Sequence, residues 1–195
     1  MKAYILAGGE SRRMGRAKHE LMLGGRDFLR RVISAADPVF EEVVIVARSQ
    51  APFGSAGRRV IEEPAHEGTS PLFGINAALA DARGDAWIIG VDYPLLSSAL
   101  LEMLAARFIE ARPDLLVPVW SARPQMLCAG YGGTLRGEID RRIENREFML
   151  RGLIDYGRSI VIHENEIRLR FAGEPLRNVN TPEEYEEILA LERQA

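Results

Sequence analysis

Lysine is almost missing from this chain: of its 25 basic residues only Lys2 and Lys18 are lysines, and the rest are arginine. Cysteine is rarer still. Cys128 stands alone inside the apolar stretch Met126-Leu127-Cys128-Ala129, which excludes a disulfide framework or a thiolate metal cluster. It predicts a buried strand residue in a reducing cytoplasm. No apolar run approaches the ~20 residues of a spanning helix, and the segment after Met1-Lys2 is too short for a signal peptide, so no membrane association is expected. Histidine is confined to His19, His66 and His163, in expected loops and without metal-ligand spacing, and a surface or structural role is the reading for each. The net charge of −3 offers no global attraction for nucleic acid or an anionic membrane. A hydrophobic content of 47% with 27% charged residues excludes a disordered chain.

What the chain does contain is a series of short, wholly apolar runs. Residues 3–7 form the first and end at Gly8-Gly9, and 43–47 form the second; Arg59-Val60-Ile61 is read as a short third strand. Further strands are expected at 86–91, 115–119 and 126–131, with a strand pair around 159–171. Helical segments are expected at 27–36, 72–83, from Ser97-Ser98 to Ile109, at 133–143, at 147–155, and from Thr181-Pro182-Glu183-Glu184 onward. Apolar strands alternating with helices predict a three-layer α/β/α fold with a mostly parallel sheet, in a single domain over 1–195. In such a sheet ligands bind at the carboxyl ends of the strands, which directs attention to Gly8 and Asp92.

The first constellation runs from Leu6 to Lys18: Leu-Ala-Gly-Gly-Glu-Ser-Arg-Arg-Met-Gly-Arg-Ala-Lys. Adjacent glycines after a buried strand let backbone N–H groups approach an anion, and Arg12, Arg13, Arg16 and Lys18 supply positive charge for phosphate oxygens. The spacing fits neither a P-loop, because Arg16 follows Gly15, nor a G-x-G-x-x-G fingerprint. In a chain that otherwise avoids lysine, Lys18 in this segment points to a need for an ammonium. The alternative is an ordinary turn with solvated arginines. The second constellation is Gly90-Val91-Asp92-Tyr93-Pro94. An aspartate ending a core strand suits magnesium, which binds through one or two carboxylates plus phosphates and water; capping a turn is the alternative. Tyr93 and Phe73 are expected in the core rather than around a base.

The stretch L-A-G-G-x-S-x-R-M-G-x-x-K resembles the signature of the molybdenum cofactor guanylyltransferases. Asp92-Tyr93-Pro94 is similar to their metal site, and Thr69-Ser70-Pro71-Leu72-Phe73-Gly74 to their G-P-L-x-G segment. Arg123-Pro124-Gln125 and Asn178-Val179-Asn180-Thr181-Pro182 resemble two further blocks. The likeness implies a Rossmann-like nucleotide-diphospho-sugar transferase fold. It implies a nucleotide site at Leu6, Ala7, Gly8, Gly9, Ser11, Arg13, Gly15, Lys18, Pro71, Gly74 and Asp92, with Arg13, Lys18 and Asp92 catalytic and Asp92 on Mg2+. Gln125, Asn178 and Asn180 would face the pterin substrate. The chain departs from the pattern at Ala17, where an aspartate is usual, and at Ala47-Arg48, where an asparagine is usual. Glu67 is the stand-in for an acid expected before the P-L-x-G segment.

The reaction implied is transfer of GMP from GTP to molybdopterin cofactor, giving pyrophosphate, with transient contact to other proteins of molybdenum cofactor synthesis. The rival readings are a cytidylyltransferase for the same cofactor, a guanylyltransferase for adenosylcobinamide phosphate, a sugar-1-phosphate nucleotidyltransferase, and a nucleotide-binding module without turnover. Gly8 and the R-P-Q block disfavour the first rival and the Asn178–Asn180 block the second. Chain length disfavours the third, and the joint presence of Arg13, Lys18 and Asp92 the fourth.

Overall fold

Side chains alternate between the two faces of the sheet along the first strand, and the two sets enter different cores. In the computed structural model, which describes residues 1–8, 17–49, 51–64 and 70–193 (side chains 51, 54 and 55 excepted), Ala3, Ile5 and Ala7 pack on one face and Tyr4 on the other. The strand is β1 (Lys2–Leu6). A small hairpin of β2 (Met22–Leu23) and β3 (Arg26–Asp27) leads into helix α1 (Phe28–Ala36), capped by the Asp27 carboxylate on Arg30 N at 2.7 Å. Next come β4 (Val43–Ala47), β5 (Val60–Glu62) and α2 (Pro71–Ala82), then β6 (Ala86–Gly90) and α3 (Ser98–Ala111). The second half contains β7 (Leu115–Trp120), β8 (Arg123–Pro124), β9 (Cys128–Tyr131) and α4 (Leu135–Glu144). It closes with β10 (Ser159–Ile162), α5 (Glu164–Arg168) and α6 (Pro182–Glu192).

The main sheet runs β10-β7-β9-β6-β1-β4-β5, with β8 paired on β7. On this path every pairing is parallel except the two made by β9, so the sheet is mostly parallel as expected. Helices α1 and α3 cover one face, with Phe28, Val32, Leu100 and Leu104 fully buried beside Trp87. Helices α2 and α4 cover the other, with Leu72, Ile75, Leu135 and Ile139 against Tyr4 and Ile88. Each such side chain contributes about 1.5–3 kcal/mol by leaving water, and the three-layer arrangement is the way a two-faced apolar sheet obtains that burial.

Two segments differ from the sequence reading. The expected strand pair at 159–171 is one strand and a helix. Ile167, Leu169 and Phe171 alternate as in a strand, yet Leu169 is 85% exposed, so the alternation marks no buried face. The Glu164–Arg168 ion pair at i,i+4 and acids in the first turn stabilise helix α5 instead. The expected helix at 147–155 shrinks to a 3₁₀ turn at Leu150–Leu153. That turn is held from α4: Arg142 bonds the Gly152 carbonyl at 3.0 Å and Glu138 at 2.6 Å. Cys128 is fully buried in β9, and burial pushes its thiol up, which rules out a nucleophile. Of the histidines, His19 packs its ring 4.7 Å from Phe53 in a 3₁₀ turn rather than a loop, and His163 precedes α5. His66 lies outside the described residues. No helix among the described residues is long and apolar enough to cross a membrane.

Polar residues clamp the amino-terminal edge of the sheet. Arg59, ahead of β5, bonds both carboxylate oxygens of Asp81 on α2 at 2.7 and 2.8 Å, and Glu42, ahead of β4, at 2.8 Å. Tyr4 donates to Asp81 at 2.8 Å, and Lys2 pairs with Glu42 at 2.9 Å. The Arg59 hydrogen bonds hold Glu42 and Asp81 down at about 2. Both folded values lie below the unfolded ones, so this stabilisation is complete above about pH 4.5 and is lost as pH falls towards 2. The melting temperature is expected to fall steeply over that window. Arg59→Met is expected to lower it at pH 7 and to flatten part of the pH dependence, which calorimetry at a series of pH values would check.

Candidate active site

From β1 the chain builds outward through β4 and β5, then returns to add β6 on the opposite side of β1. The strand order reverses there, and a crevice opens at the carboxyl ends of β1 and β6. The pairing register sets Leu6 against Gly90 and Leu6 against Val46. Ala7-Gly8, Val91-Asp92 and Ala47-Arg48 therefore emerge side by side. Val91 N donates to the Leu6 carbonyl at 3.3 Å, extending the pairing to the edge of the crevice.

Asp92 is 9% exposed. Its backbone carbonyl accepts from Val179 N at 2.9 Å, which brings the segment before α6 against the strand end. Its carboxylate turns back over Gly90: a Cβ there would stand 2.3 Å from Asp92 Oδ1, so only glycine leaves it room. Lys18 enters from the other side, with Nζ 3.4 Å from Asp92 Oδ2 and donating to Asn180 Oδ1 at 2.6 Å. Asn180 is itself fixed, because its N–H donates to Glu184 Oε2 at 2.6 Å within the Thr181–Glu184 capping box that starts α6. Residues 74 and 162 positions apart from Lys18 thus converge on one ammonium.

On the β1–β4–β5 side lies a carboxylate that motif spacing did not identify. Glu63 directly follows β5, and its N–H donates to the Ala47 carbonyl at 2.9 Å. A Cβ on Gly8 would approach Glu63 Oε1 to 3.1 Å, and one on Gly74 would approach it to 3.0 Å. The carboxylate therefore lies between the turn after β1 and the first turn of α2. Pro71 opens that helix, with Ser70 capping Leu72 N at 3.2 Å. The expected acid, Glu67, falls outside the described residues, as do Gly9, Ser11, Arg13 and Gly15. The signal for Glu63 was its place at the end of an apolar strand, the same signal that singled out Asp92.

On the other side of Asp92 a cavity of ≈ 790 Å³ opens, lined among others by Trp120, Arg123, Gln125, Asn178 and Asn180. Gln125 is 7% exposed and its carboxamide is committed. It accepts from Tyr93 Oη at 3.0 Å and donates to the carbonyls of Trp120 at 3.0 Å and Arg123 at 2.8 Å. Gln125 thus shapes the β7–β8 turn and presents Arg123, which is exposed. Tyr93 is core, 3% exposed, and burial pushes its hydroxyl well up. Asn178 lines the cavity beside Asn180. Phe73 is buried against Phe148, with ring centroids 5.7 Å apart.

Among the described residues no group of three or more His, Cys, Asp or Glu side chains gathers to hold a metal ion. A single buried carboxylate, here Asp92, fits magnesium, whose other ligands come from phosphates and water.

Residues 3–164 match the family of the MobA-like NTP transferase domain. A probable molybdenum cofactor guanylyltransferase of Mycobacterium avium is 32% identical over 189 residues, 93% of this chain and 91% of that one. The solved molybdopterin-guanine dinucleotide biosynthesis protein A of Archaeoglobus fulgidus has a TM-score of 0.85 and 26% identity, covering 100% of both chains. A CMP:2-keto-3-deoxy-manno-octonic acid synthetase, 14% identical with a TM-score of 0.72 over 98% of both chains, shares the fold alone.

Gly90→Ala is expected to displace the Asp92 carboxylate. Calorimetric affinity for GTP with magnesium should fall by about tenfold or more, while the overpacking of about 1–3 kcal/mol lowers the melting temperature by a few degrees. Unchanged affinity would show that Asp92 takes no part in nucleotide binding.

Proposed function

The chain belongs to the MobA-like NTP transferase family, and from that premise we propose that it transfers GMP from GTP to molybdopterin cofactor, in the cytoplasm, releasing pyrophosphate. The observation that carries this reading is the position of Asp92 and Asn180 on the wall of the ≈ 790 Å³ cavity, with Lys18 joined to both and the turn after β1 beside them at the carboxyl ends of β1 and β6. A transferase joining a nucleotide to a second substrate needs two sites that meet at the reacting phosphorus.

The acceptor brings its own nucleophile. An oxygen of its terminal phosphate attacks the α-phosphorus of GTP, a bond forms there, and the bond from that phosphorus to the bridging oxygen breaks. Pyrophosphate leaves with the electron pair. No enzyme nucleophile is required, in keeping with the buried Cys128, and the protein's share is positioning and charge neutralisation. The resemblance assigns Leu6, Ala7, Gly8, Gly9, Ser11 and Gly15 to the nucleotide. The Ala7 N–H is spent on the Val46 carbonyl, and Gly8, directly after it at the crevice, would offer its backbone N–H to the triphosphate. Arg13 and Lys18 neutralise the leaving pyrophosphate. Asp92 is the residue that would hold magnesium, which when bound supplies positive charge to the phosphate oxygens. Pro71 and Gly74 form the helix start at the edge of the nucleotide crevice. Asn178, Asn180 and Arg123 face the acceptor.

Glu63 supports guanine as the base. Guanine alone among the four common bases presents two adjacent donors on its pairing edge, the ring N–H and the 2-amino group, and these match two carboxylate oxygens. Hydrogen bonds to a charged group contribute about 1.5–3 kcal/mol each.

The deciding experiment mixes the protein with GTP, magnesium and molybdopterin cofactor and measures pyrophosphate. Release is expected with GTP in preference to CTP, ATP and UTP, and Lys18→Ala or Asp92→Ala should lower it by orders of magnitude without unfolding the chain. Near wild-type rates in both variants would overturn the site. Glu63→Gln is expected to shrink the preference for GTP over ATP by about tenfold or more, read from kcat/KM for the two nucleotides.

A further inference from the structure

Lys18 stands where a metal on Asp92 would have to be approached. Its ammonium lies 3.4 Å from Asp92 Oδ2 and 2.6 Å from Asn180 Oδ1, and both side chains of the Lys18–Asp92 pair are largely removed from water, at 19% and 12% exposure. Magnesium sits about 2.0–2.1 Å from a carboxylate oxygen and requires near-octahedral space around it. An ammonium beside the same carboxylate fills part of that space and repels a divalent ion in poorly screened surroundings. The ammonium also has somewhere else to go. A lysine head is a point charge on a flexible four-carbon stem, and this one ends the Leu6–Lys18 motif that the proposed function assigns to the triphosphate. Its present dock is rigid, because Asn180 is tied to Glu184 by the capping box of α6.

We infer that Lys18 is a movable counter-ion: docked on Asp92 and Asn180 it opposes divalent-metal binding, and a triphosphate drawing it away frees Asp92 for the metal and Asn180 for the acceptor. The inference rests on the reading of Asp92 as the metal-holding acid. Nucleotide and metal then bind with positive coupling, because each favours the undocked lysine. The acceptor site is completed only after the nucleotide has bound. A lysine needed for turnover thereby weakens metal binding in the free protein, which a phosphate ligand without the docked position would not do.

The test uses Mn2+ alone as the probe, followed by its electron paramagnetic resonance signal, with full-length protein and no nucleotide. Lys18→Met is expected to bind Mn2+ about tenfold tighter than wild type, and Lys18→Gln, which keeps a donor for Asn180 but no charge, should do the same if the methionine variant folds poorly. Lys2→Met, which removes a remote cation paired with Glu42, should change nothing, and adding Asp92→Asn to Lys18→Met should abolish the gain. Equal or weaker Mn2+ binding in both Lys18 variants overturns the counter-ion role, as does an equal gain in Lys2→Met. Pyrophosphate release by wild type separates this from the transfer reading: release without a gain in Mn2+ affinity refutes only the lysine exchange. A gain without release keeps the exchange and refutes the transfer.

Discussion

The parallel pairing of β1 with β6 is the constraint from which the site follows. Its register, with Leu6 opposite Gly90, brings the turn after one strand beside the aspartate after the other, and no local interaction would do so across more than eighty residues. The pairing in turn depends on burial of both sheet faces. Tyr4 and Ile88 share one core, and Ile5 and Ile89 the other. A slip of one residue would exchange those faces and carry Asp92 away from Gly8. Packing energy spread over two cores is thus what holds a handful of polar atoms in place.

The two ends of the sheet use charge differently. At the amino-terminal edge Arg59, Glu42, Asp81, Tyr4 and Lys2 satisfy one another in a closed set of hydrogen bonds. At the carboxyl edge Asp92 and Asn180, joined by Lys18, line a cavity of ≈ 790 Å³. Both arrangements join distant segments, but the first is held by a planar guanidinium gripping two carboxylates. The second turns on a flexible lysine whose partners can be exchanged. That contrast is the physical difference between a clamp and a site.

Much of the candidate site was legible because chemistry and strand ends coincide. Asp92 announced itself by following an apolar strand, and Lys18 by its rarity within a glycine-rich segment. Glu63 obeys the same strand-end rule but was hidden, since Glu62 ends, and Glu63 follows, a short strand with only two apolar residues. Nothing in the spacing says which carboxylate turns towards Gly8 and Gly74. At 159–171 alternation suggested a second strand, although an exposed Leu169 and the Glu164–Arg168 pair belong to a helix. Alternation reports a face, and only packing reveals whether that face is buried. Gln125 likewise sits in a block whose residues resemble substrate contacts, while its carboxamide is spent on Tyr93 and two backbone carbonyls.

The local properties were thus determined by sequence alone: the apolar strands, and the helix starts at Ser97 and Thr181. These rest on interactions between near neighbours and on side-chain types, which the order of residues specifies directly. Tertiary structure decided the rest. It set the antiparallel insertion of β9, the meeting of Lys18 with Asp92 and Asn180, and the placing of Glu63 between two glycines. Those depend on register and on the direction in which side chains leave the sheet. Both emerge only when the two faces are packed, because contacts between residues 74 or 162 positions apart are fixed by the sum of many burials and by no single motif.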